Sequence, residues 1–355
     1  MGTKADTAQA AGLADSYTPM PEGEARDLLN RYYGLSATLK RFATEKDDTF
    51  GVTVSDGQKF VLKIANPGES FGEIDFQHTI LRTVEQQDPW LPVPRVIASI
   101  ESEHLFEITD GSGQQRYVRL LSFLDGTPLD QTHSSAGQRQ QIGKILARLR
   151  LATEPVSHSA QDRVLAWDVQ HLASLRPLLD EISDLHKKQL LAGGMERFMA
   201  LEPEVQKCRQ QVLHNDFSCS NIVVDHKVPE FVTGIIDFGD AVKTTVAIDV
   251  STALLNQLPR EPGADMFAAG RDLLDGYLSI TDLTEHELRL IPHLVMARVV
   301  ARALITLWRA RMFPDNQTYI LRNTEQGWHQ LAWFLDRSMD QVSTVLFDRA
   351  AKGKT

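Results

Sequence analysis

Three residues of this chain have the types and spacing to do chemistry together: Asp216, Asn221 and Asp237. The first two lie in His214-Asn215-Asp216-Phe217-Ser218-Cys219-Ser220-Asn221, and the third opens Asp237-Phe238-Gly239-Asp240. Two short apolar stretches stand between them, 222–224 and 232–236, separated by a turn segment containing Pro229. If those stretches pair as a hairpin, their outer ends lie side by side and the three residues converge. Two carboxylates and an amide oxygen at one point form a hard-oxygen site, suited to magnesium shared with substrate phosphates. Metals that prefer thiolate or imidazole match it poorly. Either triplet alone has a plainer reading, with Asp216 and Asn221 as turn residues and Asp237 capping a strand end. Both together, around a strand–turn–strand spacer, point to a site.

Composition sets the frame. The 355 residues can bury one large core or two modest ones, and the apolar and charged fractions (42% and 24%) are those of an ordinary globular protein. A formal net charge of −10 speaks against nucleic acid or an anionic membrane as main partner. It leaves a cationic small molecule, or simply a solvated acidic surface. Cys208 and Cys219 are the only cysteines and lack metal-ligand spacing, so the expected compartment is a reducing cytoplasm. No stretch reads as long and apolar enough to span a bilayer, and no signal-like apolar segment opens the chain.

The elements that must position the triad follow from periodicity. A helix is expected over 22–33, then antiparallel strands over 39–43, 50–55 and 59–65, with Ser55-Asp56-Gly57 as the last tight turn. Lys63 sits in the apolar run Phe60-Val61-Leu62-Lys63-Ile64-Ala65. It is either an edge residue pointing to water or a charge held for a purpose. A helix over 73–85 and strands over 95–100, 104–109 and 116–123 complete the strand-rich part. Gly126 permits a sharp change of direction after it. Helices are expected over 135–152, 167–175 (stopped by Pro177) and 182–207, and after Asp240 over 248–258, 264–279, 285–312 and 324–350. The composition shift near residue 125 divides the chain into a loose tail (1–21), a strand-rich lobe (22–124) and a helical lobe (125–355).

The H-x-D-x4-N segment followed by D-F-G resembles the catalytic and metal loops of protein-kinase-like phosphotransferases. From about residue 26 onward the chain resembles their aminoglycoside phosphotransferase and choline kinase branch. Pro92-Val93-Pro94-Arg95-Val96, the run from Phe123 to Leu129, and Asp249 carry the likeness. Within that branch it is similar to the hydroxylysine kinases and their bacterial relatives. Asp47-Asp48-x-Phe50, Phe60–Ile64, Ile236–Asp240, Arg298, the run 313–316 and Gly327-Trp328 support this. The resemblance implies an α+β, two-lobed fold with a small antiparallel-sheet lobe and a larger, mainly helical one. It makes Asp216 the base for a substrate hydroxyl, and Asn221 and Asp237 the holders of magnesium. Lys63 becomes the grip on the phosphates of ATP or GTP, and the backbone of Ser122 and Leu124 the contact with the base. His214 and Asp249 are structural members of the loop.

Two departures from the pattern stand out. The turn over 44–49 is acidic instead of glycine-rich, which is unfavourable near a triphosphate unless it faces away. Gln77 occupies the place of the usual helix glutamate; Glu73, four residues earlier on the same face, is favoured over Asp75 as partner of Lys63. For the acceptor, Arg298 adjoins the apolar face of the helix over 285–312. It either covers core surface with its stem or projects into the cleft to bind a carboxylate, with Asp240 attracting an ammonium group. A small-molecule kinase acting on a hydroxylated amino acid is thus expected. An aminoglycoside or other amino-alcohol kinase and a catalytically silent nucleotide-binding domain are the alternatives. The absence of an Ala-Pro-Glu segment makes a protein kinase the weakest reading.

Overall fold

A computed structural model describes residues 17–44, 47–314, 317–322 and 324–347. Most of the expected tail, the centre of the acidic turn, Asp315-Asn316 and the end of the last expected helix lie outside these residues. Helix α1 (Glu22–Tyr33) packs Ala25, Leu29 and Tyr33 against one face of an antiparallel sheet. The strands are β1 (Ala37–Phe42), β2 (Asp48–Val54), β3 (Lys59–Ile64), β4 (Val96–Ile97), β5 (Phe106–Thr109) and β6 (Gln115–Ser122). Their order is β1-β2-β3-β6-β4, with β5 also on β6. Ser55-Asp56-Gly57 closes the β2–β3 hairpin: Gly57 takes φ 88°, and Asp56 Oδ1 accepts the Gln58 N–H at 2.9 Å.

The pleat then sorts side chains. Leu62, Ile64, Val118 and Leu120 join the small core under α1. Their neighbours Val61, Lys63, Arg119 and Leu121 must point to the opposite face. Helix α2 (Phe71–Gln87) lies there, started by a Ser70–Glu73 capping box. Its Phe76, Ile80, Leu81 and Val84 belong to the large core of the helical lobe, so α2 couples the two halves.

The helical lobe comprises α3 (Ala136–Thr153), α4 (Leu185–Val205), α5 (Val246–Leu255), α6 (Ala268–Leu278), α7 (Glu285–Met312), α8 (Gln317–Leu321), α9 (Glu325–Leu335) and α10 (Met339–Thr344). A Cβ on Gly143 of α3 would lie 1.9 Å from the Leu273 carbonyl oxygen, and one on Gly276 of α6 1.9 Å from that of Gln140. Only glycine lets these two backbones approach so closely. Small strands frame the loops: β7 (Thr127–Pro128), β9 (Ile222–Val224) and β10 (Val232–Ile235) form one sheet, and β8 (Gln210–Leu213) pairs with β11 (Val242–Thr245).

Several expectations are corrected. The helix expected over 167–175 is a run of 3-10 turns, Val169–Glu181, capped by Asp168 and continuing through Pro177. Turns closed by i to i+3 bonds lose only one bond to a proline. The single helix over 324–350 is broken, because Ser338 caps α10 with a Ser338–Gln341 box. β8 and β11 had no sequence signal; each is four residues long and exists only through the other. Finally, α7 is long and apolar enough to cross a membrane by length and composition, against the sequence reading. Its most apolar window has mean hydropathy 1.6 but is 89% buried inside the fold, so α7 is the central core helix.

Candidate active site

The β9–β10 hairpin forms as its pattern requires, with Ile222 opposite Ile235 and Val224 opposite Val232. Past its open end the Ile236 N–H donates to the Asn221 carbonyl at 2.9 Å, which ties the two loops together. His214 is buried between them. Its Nε2 bonds the Ile236 carbonyl (3.1 Å), and its Nδ1 accepts the Asp216 N–H (3.3 Å). Burial holds the imidazole below its usual pKa, so the ring is neutral with the proton on Nε2. Its ring packs 4.7 Å from that of Phe238, joining the two motifs through their core faces.

Asn215 takes φ 60° and Asp237 φ 64°, a left-handed geometry that Asn and Asp tolerate better than other side chains. The Asn215 N–H donates to Asp249 Oδ1 at 2.7 Å, while its carbonyl accepts from Arg298 Nη2 at 2.9 Å. The backbone before Asp216 is therefore clamped from both sides. Asn221 Nδ2 donates to Asp216 Oδ2 at 2.6 Å and to the Asp216 carbonyl at 3.1 Å. Burial, then the nearby carboxylates of Asp240 and Asp237, push the Asp216 carboxyl up to about 8; the Arg298 cation and the Asn221 bond act the other way.

Such crowding of acids suits a cation. With its nitrogen spent on Asp216, Asn221 has its Oδ1 left for a metal, and exposed Asp237 adds a carboxylate held by the Gly239 N–H (3.2 Å). Among the described residues no cluster of three or more His, Cys, Asp or Glu forms a protein-only metal cage. Two oxygen donors with room for phosphate and water match the sparse protein ligation of magnesium. Asn221 and Asp237 therefore fit magnesium.

The nucleotide side departs from expectation. Lys63 Nζ pairs with Asp47 Oδ2 at 3.2 Å, not with Glu73. Glu73 is used locally: its Oε2 accepts from the Ser70 N–H (3.1 Å) and hydroxyl (2.9 Å), and its Oε1 lies 3.8 Å from Arg163. The capping box outcompetes a reach to the sheet because its partners are three residues away. Gln77 accepts from Arg119 at 2.8 Å. Both described acids of the 44–49 turn face inward, Asp48 pairing with the fully buried Arg116 at 2.8 Å. At the hinge, the Ser122 N–H is spent on the Arg95 carbonyl (2.9 Å) and its hydroxyl accepts the Arg95 N–H (2.8 Å). Leu124, beyond the strand end, makes no backbone bond of this kind among the described residues.

Arg298 is the second correction. It is only 7% exposed, and its guanidinium bonds the carbonyls of Trp167 and Asn215. It also lies within electrostatic range of Asp168, Asp216 and Asp249. This makes it a brace of the catalytic loop, with its donors turned to backbone. Asp240 lies between Asp216 and Arg163 electrostatically. Arg163, which sequence reading missed, bonds the carbonyls of Gly239 and Ala241 and so holds the metal loop from outside. A lone arginine in a loop has no periodicity that would flag it.

A two-lobed α+β fold in which Asp216, Asn221 and Asp237 converge defines a kinase-like phosphotransferase. Residues 38–289 match the family described as "Phosphotransferase enzyme family", and the chain belongs to it. It is 24% identical over 350 residues to a hydroxylysine kinase of Danio rerio, covering 95% of this chain and 97% of that protein. Among solved structures it is similar to a microcompartment-associated aminopropanol kinase (TM-score 0.64, 19% identity, 88% of this chain and 97% of that one). It is also similar to an amicoumacin kinase in complex with AMP-PNP, Ca2+ and Ami (TM-score 0.63, 15% identity, 92% and 93%). The protein is thus a small-molecule kinase acting on hydroxyl groups.

Proposed function

We propose that this kinase transfers the γ-phosphoryl group of a magnesium-bound nucleoside triphosphate, ATP or GTP, to the hydroxyl of a small hydroxylated amino acid. The observation that carries it is the Asp216 carboxylate, fixed by Asn221 at 2.6 Å and flanked by Asp237. In this reading Asp216 orients the acceptor hydroxyl and takes its proton. Asn221 and Asp237 hold magnesium, which when bound neutralises phosphate charge and also draws the Asp216 carboxyl back down. Lys63 steadies the phosphates, and alignment with the γ-phosphoryl group supplies much of the rate. The likeness to a hydroxylysine kinase and the AMP-PNP in one structural relative support donor and acceptor class. Two free thiols fit a cytoplasmic setting.

For the acceptor's carboxylate, the cation in this reading is Arg302, one turn beyond Arg298 on α7. Its Nη2 donates to Gln330 Oε1 at 3.3 Å, and no carboxylate lies within ion-pair distance of it among the described residues. Burial and then the Arg298 cation depress its guanidinium to about 10, so an incoming anion would relieve it. Arg298 touches the residue next to Asp216, and one helical turn rises about 5.4 Å. In this reading the acceptor's hydroxyl lies at Asp216 and its carboxylate at Arg302, and Asp240, whose charge reaches Asp216, faces its ammonium group. The test is an initial-rate screen of hydroxylysine, homoserine, their decarboxylated amines and an aminoglycoside, each with ATP and GTP. Preference for the amino acids is expected. Equal turnover of an amino acid and its decarboxylated amine would overturn the acceptor assignment.

A further inference from the structure

The lysine of β3 has an unexpected carboxylate beside it, and the sheet explains why one is needed. Lys63 of β3 stands directly opposite Arg119 of β6, on the face turned away from α1. Two cations in a cross-strand pair repel, and both are partly buried. Helix α2 lies over this face but brings no acid to them. Gln77 bonds Arg119 at 2.8 Å, Glu73 is spent on Ser70, and Asp75 lies 3.2 Å from His158.

The compensation comes from the turn before β2. Adjacent residues there point to opposite faces of the sheet. Asp48, opposite Ile64, goes to the α1 side, where it pairs with Arg116 at 2.8 Å. Asp47 goes to the cleft side, is 8% exposed, and places Oδ2 at 3.2 Å from Lys63 Nζ. Its Oδ1 accepts the Asn66 N–H at 3.3 Å, which fixes the carboxylate from the far end of β3. Burial alone would raise this carboxyl, but the Lys63 charge, then Arg119, hold it below the usual range.

We propose that Asp47 is the residue that positions Lys63 for the nucleotide phosphates, doing from the β1–β2 turn what no residue of α2 does. An ammonium has three donors. With one on Asp47, the side chain is held in a single orientation and two remain for phosphate oxygens. Fixing it before binding removes ordering cost from the nucleotide complex. The inference rests on the assignment of Lys63 as the phosphate grip. It makes Asp47 a positioning residue, with no contact to the reacting atoms required.

The experiment is a double-mutant cycle with Asp47→Asn, Lys63→Met and the pair, read by equilibrium binding of magnesium AMP-PNP and by kcat and KM for both substrates. Asp47→Asn is expected to weaken nucleotide binding tenfold or more and leave the acceptor KM within about twofold. In the Lys63→Met background the same change is expected to have no further effect. An equal loss in both backgrounds, or normal binding by Asp47→Asn, would overturn the proposal. If Asp47→Asn does not fold, Asp47→Glu takes its place, keeping the charge but displacing it by one methylene. Its loss must likewise vanish without Lys63. If no acceptor is turned over by the unmutated protein, the acceptor reading fails while the binding arm still decides the role of Asp47.

Discussion

Replacing Arg298 by methionine separates a brace of the catalytic loop from a binder of substrate. The side chain is buried, bonds two backbone carbonyls, and its charge acts on Asp168, Asp216 and Asp249. Hydrogen bonds from a charged donor contribute about 1.5–3 kcal/mol each. The electrostatic support of the nearby buried acids is lost with them. These overlap, so Arg298→Met should lower folding stability by about 3–5 kcal/mol. For a chain of 355 residues that corresponds to a fall in Tm of about 4–7 °C. Because the Asn215 carbonyl loses its clamp and Asp216 a favourable charge, kcat should fall by about tenfold or more, with acceptor KM changed little. Thermal denaturation and initial rates with both substrates read all of this. A variant of normal stability and kcat whose acceptor KM alone rises would refute the reasoning and return Arg298 to the acceptor cleft.

Three further outcomes are expected. Asp216→Asn should retain the fold and nucleotide affinity but lose turnover by about a hundredfold or more, measured by initial rates; near-normal turnover would remove Asp216 from the base role. Gly276→Ala drives a methyl into the Gln140 backbone and should cost about 3 kcal/mol or more in urea denaturation, since neither helix can move aside cheaply. The buried imidazoles of His78 and His293 are lowered, mainly by burial, to about 3 and about 4. Below about pH 6.5 the unfolded chain takes up these protons and the folded one does not, so stability is complete above that pH and falls as pH drops towards 4. Each histidine contributes about 1.4 kcal/mol per pH unit in that window, and His293→Gln should flatten the measured slope accordingly.

What could be read without the structure was whatever lies close along the chain. The hairpin that joins Asn221 to Asp237 needs only the fifteen intervening apolar and turn positions, and its two strands form where the pattern puts them. The same holds for the Ser55-Asp56-Gly57 turn and for α7, which Thr284 caps and whose helical pattern runs on through Pro292. Local rules failed where two short-range options competed, as at Glu73, whose capping partner is three residues away and whose sheet partner would be ten.

The rest was decided by tertiary contact. That Lys63 takes Asp47 follows from the pleat, which sends Asp47 and Asp48 to opposite faces only once β2 and β3 are in register. Arg298 could be placed on a helix face, but not which carbonyls it would meet, because Trp167 and Asn215 come from segments 131 and 83 residues away. The membrane-like composition of α7 acquires its meaning only from the helices packed around it. Spacing along a chain determines which groups can share a turn or a strand end. Which charges neutralise one another in the interior depends on desolvation, and that exists only after distant segments have closed over them.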